Sequence, residues 1–166
     1  MQTRRIDAQK KALFLRPDEL DRSVALVLLA ARAFEATALA SLPDGLLPTH
    51  RMMLLLLKGS SARTAADLQA VLGLPKQTVS RHVHQLLGLG LIERDDAALD
   101  RRRKLLRLTE SGAELAERLD RSQRRRLAAV FKAHGPQAVA DFEAVLLDLV
   151  EPAARPFFDA TVVTGA

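Results

Sequence analysis

The sequence contains no cysteine, no tryptophan and no tyrosine. Without cysteine the chain can form no disulfide, no thiolate metal site and no cysteine redox sensor. The lack of tryptophan and tyrosine argues against a binder of single-stranded nucleic acid, because such proteins stack bases on aromatic rings. The stretch from Met1 to Arg5 is polar and no apolar core follows it, and the run Leu54–Leu57 is too short to span a bilayer. We therefore expect no signal peptide, no membrane segment and a cytoplasmic protein.

The motifs of common enzymes are also missing. The sequence has no Gly-rich phosphate loop, no G-x-S-x-G elbow and no H-E-x-x-H pair. His82 and His84 are two residues apart on a predicted helix and diverge by about 200°, so they cannot share a metal ion. The adjacent acids Asp95 and Asp96 have no histidine or metal partner in the sequence. We expect no catalytic residue, no metal site and no cofactor, and hence a protein that is not an enzyme.

The composition is that of a folded protein with a polarised charge. The chain has 166 residues, 48% of them hydrophobic, which suits one domain with extensions. The formal net charge is only +5, but residues 73–109 carry eight lysines and arginines against four acids. Residues 135–166 carry one arginine against five acids. This distribution predicts a molecule with one anion-seeking surface.

Residues 64–88 predict a helix-turn-helix. Thr64 and Asp67 have the spacing of a capping box at the start of a short helix, and Gly73 can supply the left-handed conformation that ends it. Pro75 then stands where a second helix would begin, since proline lacks an amide that the first turn would leave unpaired. Two helices joined by a tight glycine-containing turn form this motif.

The second helix, from about Pro75 to Gly88, has two unlike faces. One is the predicted buried stripe, which comprises Val79, Val83, Leu86 and Leu87. The opposite side and its flanks carry Gln77, Thr78, Ser80, Arg81, His84 and Gln85. These side chains suit base edges, because Arg can contact guanine and Gln can contact adenine through two hydrogen bonds each. The alternative is an ordinary solvated helix face.

The next stretch predicts a basic hairpin, or wing. Leu91–Arg94 reads as a strand, residues 95–100 as a polar loop, and Arg101–Leu108 as a second strand that begins with a basic run. Such closely spaced like charges need an anion, and a phosphate backbone would supply one through counterion release. Alternatively, the wing's own acids neutralise the arginines. We expect both, with Asp100 and Arg102 paired and the other basic groups free.

Four motifs in order give the chain a family resemblance. They are Leu74–Val83, Leu89–Arg94, Asp100–Arg102 and Leu108–Gly112, and together they resemble the MarR family of winged-helix transcriptional regulators. The resemblance is strong over residues 47–113 and only architectural outside them. It implies a homodimer on double-stranded DNA at a palindromic operator, with the second helix in the major groove and the wing at the minor groove. By position, it assigns Gln77, Thr78, Ser80 and Arg81 to the groove and makes Arg102 the wing arginine, with Asp100 orienting it. Together with the polar helix face and the basic run, the predicted DNA-binding residues are Lys76, Gln77, Thr78, Ser80, Arg81, His84, Asp100, Arg101, Arg102 and Arg103.

The flanking helices fit a role in dimerisation. A predicted helix from Pro17 to about Ala40 is apolar nearly all round, which in a chain of this size favours a sandwich between partners. Thr109 caps a long helix over residues 110–133, on which acid-to-base pairs four apart are predicted. A further helix over residues 137–150 has a clear apolar stripe. The pairs are Glu114–Arg118, Glu117–Arg121 and Asp120–Arg124, and the stripe is Val139, Phe142, Val145, Leu146 and Leu149. Phe157, Phe158, Val162 and Val163 are expected to pack on the partner.

We therefore expect a mainly α fold with a small β-hairpin wing. Residues 1–47 and 110–166 are predicted to form the dimerisation region and residues 48–109 the winged helix-turn-helix. The predicted function is that of a homodimeric, sequence-specific transcriptional regulator, a repressor released by a small aromatic or phenolic effector. The alternative is a winged-helix protein-interaction or dimerisation module without specific DNA binding. The resemblance places an effector pocket near His50 and Met53, whereas His50 as a capping or solvent-exposed residue remains the alternative.

Overall fold

The computed structural model describes residues 16–58, 63–95 and 104–159, and it divides the chain into two units, residues 1–37 and 38–166. The first unit contains most of helix α1, Pro17–Leu39. Asp18 and Glu19 lie in its first turn, where the helix dipole favours negative charge. Its large apolar side chains are exposed, including Leu26, Leu28 and Leu29 at 57%, 64% and 65%. Across the described parts of the chain, no helix has the length and apolar content needed to cross a bilayer.

The second unit begins with the helix-turn-helix and the helix that supports it. Helix α2 is Pro48–Lys58, α3 is Ala65–Leu72 and α4 is Lys76–Gly88. The predicted capping box is present, since Thr64 Oγ1 accepts from the Asp67 amide at 3.1 Å and Asp67 Oδ2 accepts from the Thr64 amide at 2.8 Å. Gly73 ends α3 with φ +61°, as the sequence predicted. Pro75 directly precedes α4 rather than lying inside it.

The wing belongs to a sheet of three antiparallel strands, in the order β1-β3-β2. The strands are β1, Arg63–Thr64, β2, Ile92–Arg94, and β3, Leu105–Leu108. The hairpin β2–β3 was predicted, and its register pairs Ile92 with Leu108 and Arg94 with Leu106. The third strand, β1, was not predicted, because two residues are too few to show an alternating pattern. It pairs with β3 and so joins the start of α3 to the wing.

The chain then runs through α5, Glu110–His134, α6, Pro136–Leu149, and the short α7, Pro156–Asp159. Thr109 caps α5 by accepting from the Gly112 amide at 3.1 Å, as predicted. The hydrophobic core lies among α2, α3, α4, the sheet and the first half of α5; its largest members include Met53, Leu54, Leu68, Leu86, Ile92 and Leu119. Fully buried leucine-sized side chains contribute about 1.5–3 kcal/mol each, so the winged helix is stabilised mainly by this core.

Two predictions about the C-terminal half were wrong. Phe157 does not pack on a partner chain. It belongs to the hydrophobic core of its own chain, and only 6% of it is exposed. The Arg63 guanidinium lies 4.3 Å from the Phe157 ring centroid and donates to the Pro156 carbonyl at 2.9 Å. Phe158 is 45% exposed, and Val162 and Val163 lie outside the described residues.

The acids of α5 are also paired differently from the prediction. Glu117 bonds Lys58 Nζ at 2.7 Å and Arg124, rather than Arg121. Asp120 bonds Arg51 at 3.0 Å, rather than Arg124. Both acids therefore attach α5 to α2, the helix beneath the helix-turn-helix, because that helix faces them with basic side chains.

Candidate nucleic-acid interface

Helix α4 is held in place by its apolar face. The side chains of Val79, Val83 and Leu86 are 1%, 6% and 0% exposed and belong to the core. His82 replaces the predicted Leu87 in this stripe, as it is 3% exposed whereas Leu87 is only half-buried. The position of His82 could have been read from the sequence, because residues 79, 82, 83 and 86 follow the i, i+3, i+4, i+7 spacing of one helix face.

The opposite face of α4 is polar, exposed and free of acids. Lys76, Gln77, Ser80, Arg81 and His84 are all exposed, and Thr78 is half-buried at the edge. Lys76 and Arg81 lie on α4, and residues 73–92 contain no aspartate or glutamate. The surface therefore offers hydrogen-bond donors and positive charge with no neighbouring carboxylate on the same helix to repel a phosphate.

Two contacts fix polar side chains of α4, His84 on this face and Gln85 on its flank. His84 Nδ1 lies 2.8 Å from the Ser80 carbonyl oxygen and donates a hydrogen bond to it when Nδ1 carries the ring proton. Gln85 donates through Nε2 to the Gly45 carbonyl at 2.8 Å. This second contact attaches the C-terminal half of α4 to the loop that precedes α2. Sequence reasoning did not find it, because nothing local links residue 85 to residue 45.

The base of the wing carries a cross-strand ion pair. Glu93 and Arg107 are opposite one another in the register of β2 and β3, and Arg107 Nε lies 2.9 Å from Glu93 Oε1. Both side chains are about half exposed. Arg94 and Lys104 are exposed and lie nearer the tip of the hairpin than this ion pair. Asp100, Arg101, Arg102 and Arg103 lie outside the described residues, so their assignment to DNA and the Asp100–Arg102 pair stay predictions.

The start of α5 is closely joined to the turn that follows α4. The hydroxyls of Thr109 and Ser111 both donate to the Gly90 carbonyl, at 2.6 and 2.9 Å. A Cβ added to Gly112 would lie 1.8 Å from the Leu91 carbonyl oxygen. The residues of the Leu108–Gly112 motif therefore serve a packing purpose. They hold the wing, the end of α4 and α5 as one assembly.

The two residues assigned to an effector pocket are both fully buried, with 0% of His50 and of Met53 exposed. Met53 belongs to the hydrophobic core. His50 Nδ1 accepts a hydrogen bond from the Leu47 amide at 2.8 Å, immediately before α2, and His50 Nε2 lies 2.8 Å from His82 Nδ1. His50 is thus a capping residue and is not exposed to solvent. The effector pocket stays a prediction.

Burial is the main cause that lowers the pKa of both histidines below 6.5. The positive charge of Arg81 lowers the pKa of each further, and His82 also lowers that of His50. Among residues 16–58, 63–95 and 104–159, no three histidine or acidic side chains come together as a metal site would require. The pair is therefore two rings bonded to one another rather than part of a larger ligand set.

Comparison with known proteins agrees with this geometry. The model of the MarR family matches residues 44–103, which span the winged helix-turn-helix. The chain is 34% identical over 149 residues to the HTH-type transcriptional regulator PetP of Rhodobacter capsulatus, covering 86% of this chain and 87% of that protein.

Solved structures show the same fold. NMB1585, a MarR family regulator from Neisseria meningitidis, matches with a TM-score of 0.59 and 30% identity over 79% of this chain and 90% of its own. A MarR family protein from Bacillus stearothermophilus matches with a TM-score of 0.62 and 22% identity over 80% and 91%. The winged helix-turn-helix, the family model and a relative of similar length together show that the chain belongs to the MarR family of helix-turn-helix transcriptional regulators.

Proposed function

We propose that this protein is a homodimeric transcriptional regulator that binds a near-palindromic operator in double-stranded DNA through α4 and the wing. The single observation that carries the proposal is the two-faced character of α4. Its apolar side is sealed in the core, while its acid-free polar side faces solvent. A helix fixed by one face and complementary to DNA on the other suits the major groove of B-DNA.

The side chains of α4 have distinct parts in this proposal. Arg81 reads guanine and Gln77 reads adenine, because each can make two hydrogen bonds to one base edge. Lys76, at the first turn of α4, contacts phosphate and sets the register without reading sequence. Thr78, Ser80 and His84 contribute single hydrogen bonds beside these contacts.

The wing supplies the second contact in this proposal. Arg101, Arg102 and Arg103 approach the minor groove, and Asp100 orients Arg102. The cross-strand pair of Glu93 and Arg107 at the base of the hairpin supports this arrangement, because it keeps one acid away from the tip. Contacts of this type add affinity with little sequence preference, so they should steepen the salt dependence of binding.

Dimerisation is proposed because the flanking helices expose apolar surface. Val145 and Leu149 on α6 are 59% and 65% exposed, and Leu28 and Leu29 on α1 are similarly exposed. Exposed apolar stripes on each of these helices are features that mark interaction sites in monomeric proteins. Two copies would present their α4 helices about 34 Å apart, the spacing of successive major grooves, which is why the operator should be a near-palindrome.

The direction of regulation is proposed from the family resemblance. The protein acts as a repressor that a small aromatic or phenolic ligand releases from DNA, through a site near His50 and Met53. Any ligand that binds there must displace contacts in the core around Met53 or the hydrogen bonds of His50. Binding of such a ligand would therefore change the contacts that hold α4 in position.

The proposal is tested by selecting bound fragments from genomic DNA, with and without candidate aromatic acids, and then measuring affinity for the selected operator. Arg81→Ala should cost about 1–3 kcal/mol and relax the preference at one base pair in each half-site. Arg118→Ala is the matched control, because Arg118 is an exposed arginine on α5, away from the helix-turn-helix. It should leave the base preference unchanged.

Three results would overturn parts of the proposal. Equal loss of affinity for all sequences in Arg81→Ala would contradict base reading by that residue. Failure of the wild-type chain to select any duplex would favour the alternative function, a winged-helix module that binds another protein. An operator affinity that does not respond to salt would contradict the phosphate contacts of the wing.

A further inference from the structure

Two histidines from different helices are bonded to one another beneath the DNA-facing surface. His50 is in the first turn of α2 and His82 is on the buried side of α4, directly after Arg81. The rings meet edge to face, with centroids 4.4 Å apart and an interplanar angle of 89°. His50 Nε2 and His82 Nδ1 are 2.8 Å apart. The two side chains are 0% and 3% exposed, so water cannot substitute for either partner.

The direction of this hydrogen bond is set by the backbone. The Leu47 amide can only donate, and it lies 2.8 Å from His50 Nδ1, so that nitrogen must accept. Neutral His50 therefore carries its proton on Nε2 and donates it to His82 Nδ1. His82 must then carry its own proton on Nε2. One backbone amide thus fixes the tautomer of both rings.

The pair has no place for an additional proton. A proton on His50 Nδ1 would face the Leu47 amide, and a proton on His82 Nδ1 would face the proton of His50 Nε2. Moving the shared proton between the rings does not help, because the extra proton then returns to His50 Nδ1. Every protonated state of the bonded pair therefore sets two donors against one another. A buried donor without an acceptor is costly.

The charge of Arg81 also acts against protonation of the pair. Arg81 lowers the pKa of both rings, after the larger effect of burial. The charged groups on elements packed around the pair include several that already have partners. Arg51 on α2 is bonded to Asp120, Asp67 on α3 to Thr64, and Glu93 on β2 to Arg107. Other titratable groups nearby in sequence include Asp44 in the loop before α2, and Lys76 and His84 on α4.

We infer that the His50–His82 pair is a proton-sensitive positioning device, which seats α4 for DNA binding when both rings are neutral and releases it when the pair is protonated. This inference rests on the proposed DNA-binding function. The two rings join the start of α2 to the middle of α4, so their separation frees the segment that carries Arg81. Neither ring contacts DNA in this account, and both act through the position of α4.

The expected pH dependence has an unusual sign. Acidification normally strengthens DNA binding, because exposed histidines such as His84 gain positive charge beside phosphate. The pair acts in the opposite direction. Since the pKa of each ring is lowered on folding, the neutral seated state is favoured above pH 6.5 and loses this advantage as pH falls below 6.5. Weaker operator binding in acid is therefore the distinguishing result.

The test measures operator affinity of the full chain by fluorescence anisotropy between about pH 8 and pH 5.5, at constant ionic strength, a range that spans the ordinary histidine pKa. The wild type should bind roughly tenfold more weakly at the acid end, the order expected for the loss of one buried hydrogen bond. His82→Asn keeps an acceptor where Nδ1 was and removes one titrating ring, so it should bind normally at the alkaline end and lose less in acid. The double variant His50→Leu/His82→Leu should show no acid loss. His134→Gln, at the exposed C-terminal end of α5 and outside the proposed interface, is the matched control and should keep the acid loss.

A second measurement keeps the inference testable if the double variant does not fold. Nitrogen NMR of the wild-type imidazoles should show the Nε2–H tautomer for both His50 and His82 at about pH 8, where both rings are neutral. An Nδ1–H tautomer in either ring, or wild-type binding that is unchanged or stronger in acid, would overturn the inference. Absence of operator binding at that alkaline pH would instead contradict the proposed function, since the pair is then neutral and the tautomers can still be read.

Discussion

Helices α4 and α6 both carry apolar stripes, but the stripe of α4 is buried and that of α6 is exposed. On α4, the apolar residues Val79, Val83 and Leu86 are almost completely buried within one chain. On α6, no residue is buried, and Phe142, Val145 and Leu149 are 43%, 59% and 65% exposed. The sequence pattern alone does not distinguish the two, because periodicity shows that a face will be covered but not by what.

The difference separates two kinds of stability. The winged helix has its own core, so its folding should not depend on the concentration of a partner. The apolar face of α6 is covered only if something outside the described chain supplies the surface, and its contribution should depend on concentration. A change on α6 should therefore affect assembly first, whereas a change beneath α4 should affect folding of the winged helix.

The largest effect is expected on α6. The double variant Val145→Lys/Leu149→Lys places two ammonium groups on the exposed apolar stripe, and burying either against a partner copy would be costly. We expect the dimer dissociation constant to rise by roughly a hundredfold, or about 3 kcal/mol, measured by analytical ultracentrifugation. DNA binding should fall with it, because an isolated half-site contact is weak.

Ala140→Lys/Ala144→Lys is the control for this experiment. Both alanines are exposed on α6 and lie on the side of the helix away from Phe142 and Val145. They introduce the same charge but should leave assembly intact. A wild-type chain that is monomeric at high concentration, or equal effects of the two double variants, would contradict dimerisation through this stripe.

The next largest effect is expected inside the winged helix, at Gly112. Gly112→Ala would place a Cβ 1.8 Å from the Leu91 carbonyl oxygen, which belongs to backbone and cannot simply rotate away. We expect about 1–3 kcal/mol of destabilisation, seen as a lower midpoint in urea at any protein concentration. Gly88→Ala is the matched control, since nothing lies within 4 Å of a Cβ at that position.

The two glycine variants should differ in sign as well as size. Gly88 is the last residue of α4, where alanine is the better helix former, so its replacement should be neutral or slightly stabilising. Equal destabilisation by both variants would mean that the close approach of Leu91, which is present only at Gly112, is not the cause. Destabilisation of Gly112→Ala that disappears at high protein concentration would contradict the independence of the winged-helix core.

Whether an interaction could be predicted from the sequence depends on how many residues separate its two partners along the chain. The capping residues Thr64 and Thr109 and the end of α3 at Gly73 were predicted correctly, because each acts on amides within three or four residues. The resemblance to the MarR family was also correct, since its motifs lie in short, ordered segments. By contrast, the His50–His82 bond joins residues 32 positions apart, and no local pattern indicates it.

The wrong ion pairs on α5 show why spacing was insufficient. Glu117 and Asp120 do have arginines four residues later, but α2 brings Lys58 and Arg51 to them in the folded chain. Helix pairs four apart contribute only about 0.2–0.5 kcal/mol, so a competing partner from another helix readily displaces them. Deciding between the two requires knowing that α2 packs on α5, which is itself a result of the core beneath them.

The smallest effect is expected at Glu117, whose ion pair with Lys58 joins α5 to α2. Hydrogen bonds from Lys58 and Arg124 are the main cause that lowers the pKa of Glu117 from 4.5 to about 2. The stabilisation is present above pH 4.5 and is lost as pH falls through about 2, because the unfolded chain takes up the proton first.

Glu117→Gln removes this ion pair and should lower the thermal midpoint at about pH 7. The decrease should be slight, since exposed ion pairs contribute little. That deficit should shrink below pH 4.5, as the wild-type carboxylate loses its advantage. A deficit that is constant with pH would mean that Glu117 acts through packing, and the join between α2 and α5 would then depend on the buried Arg51–Asp120 pair and the core.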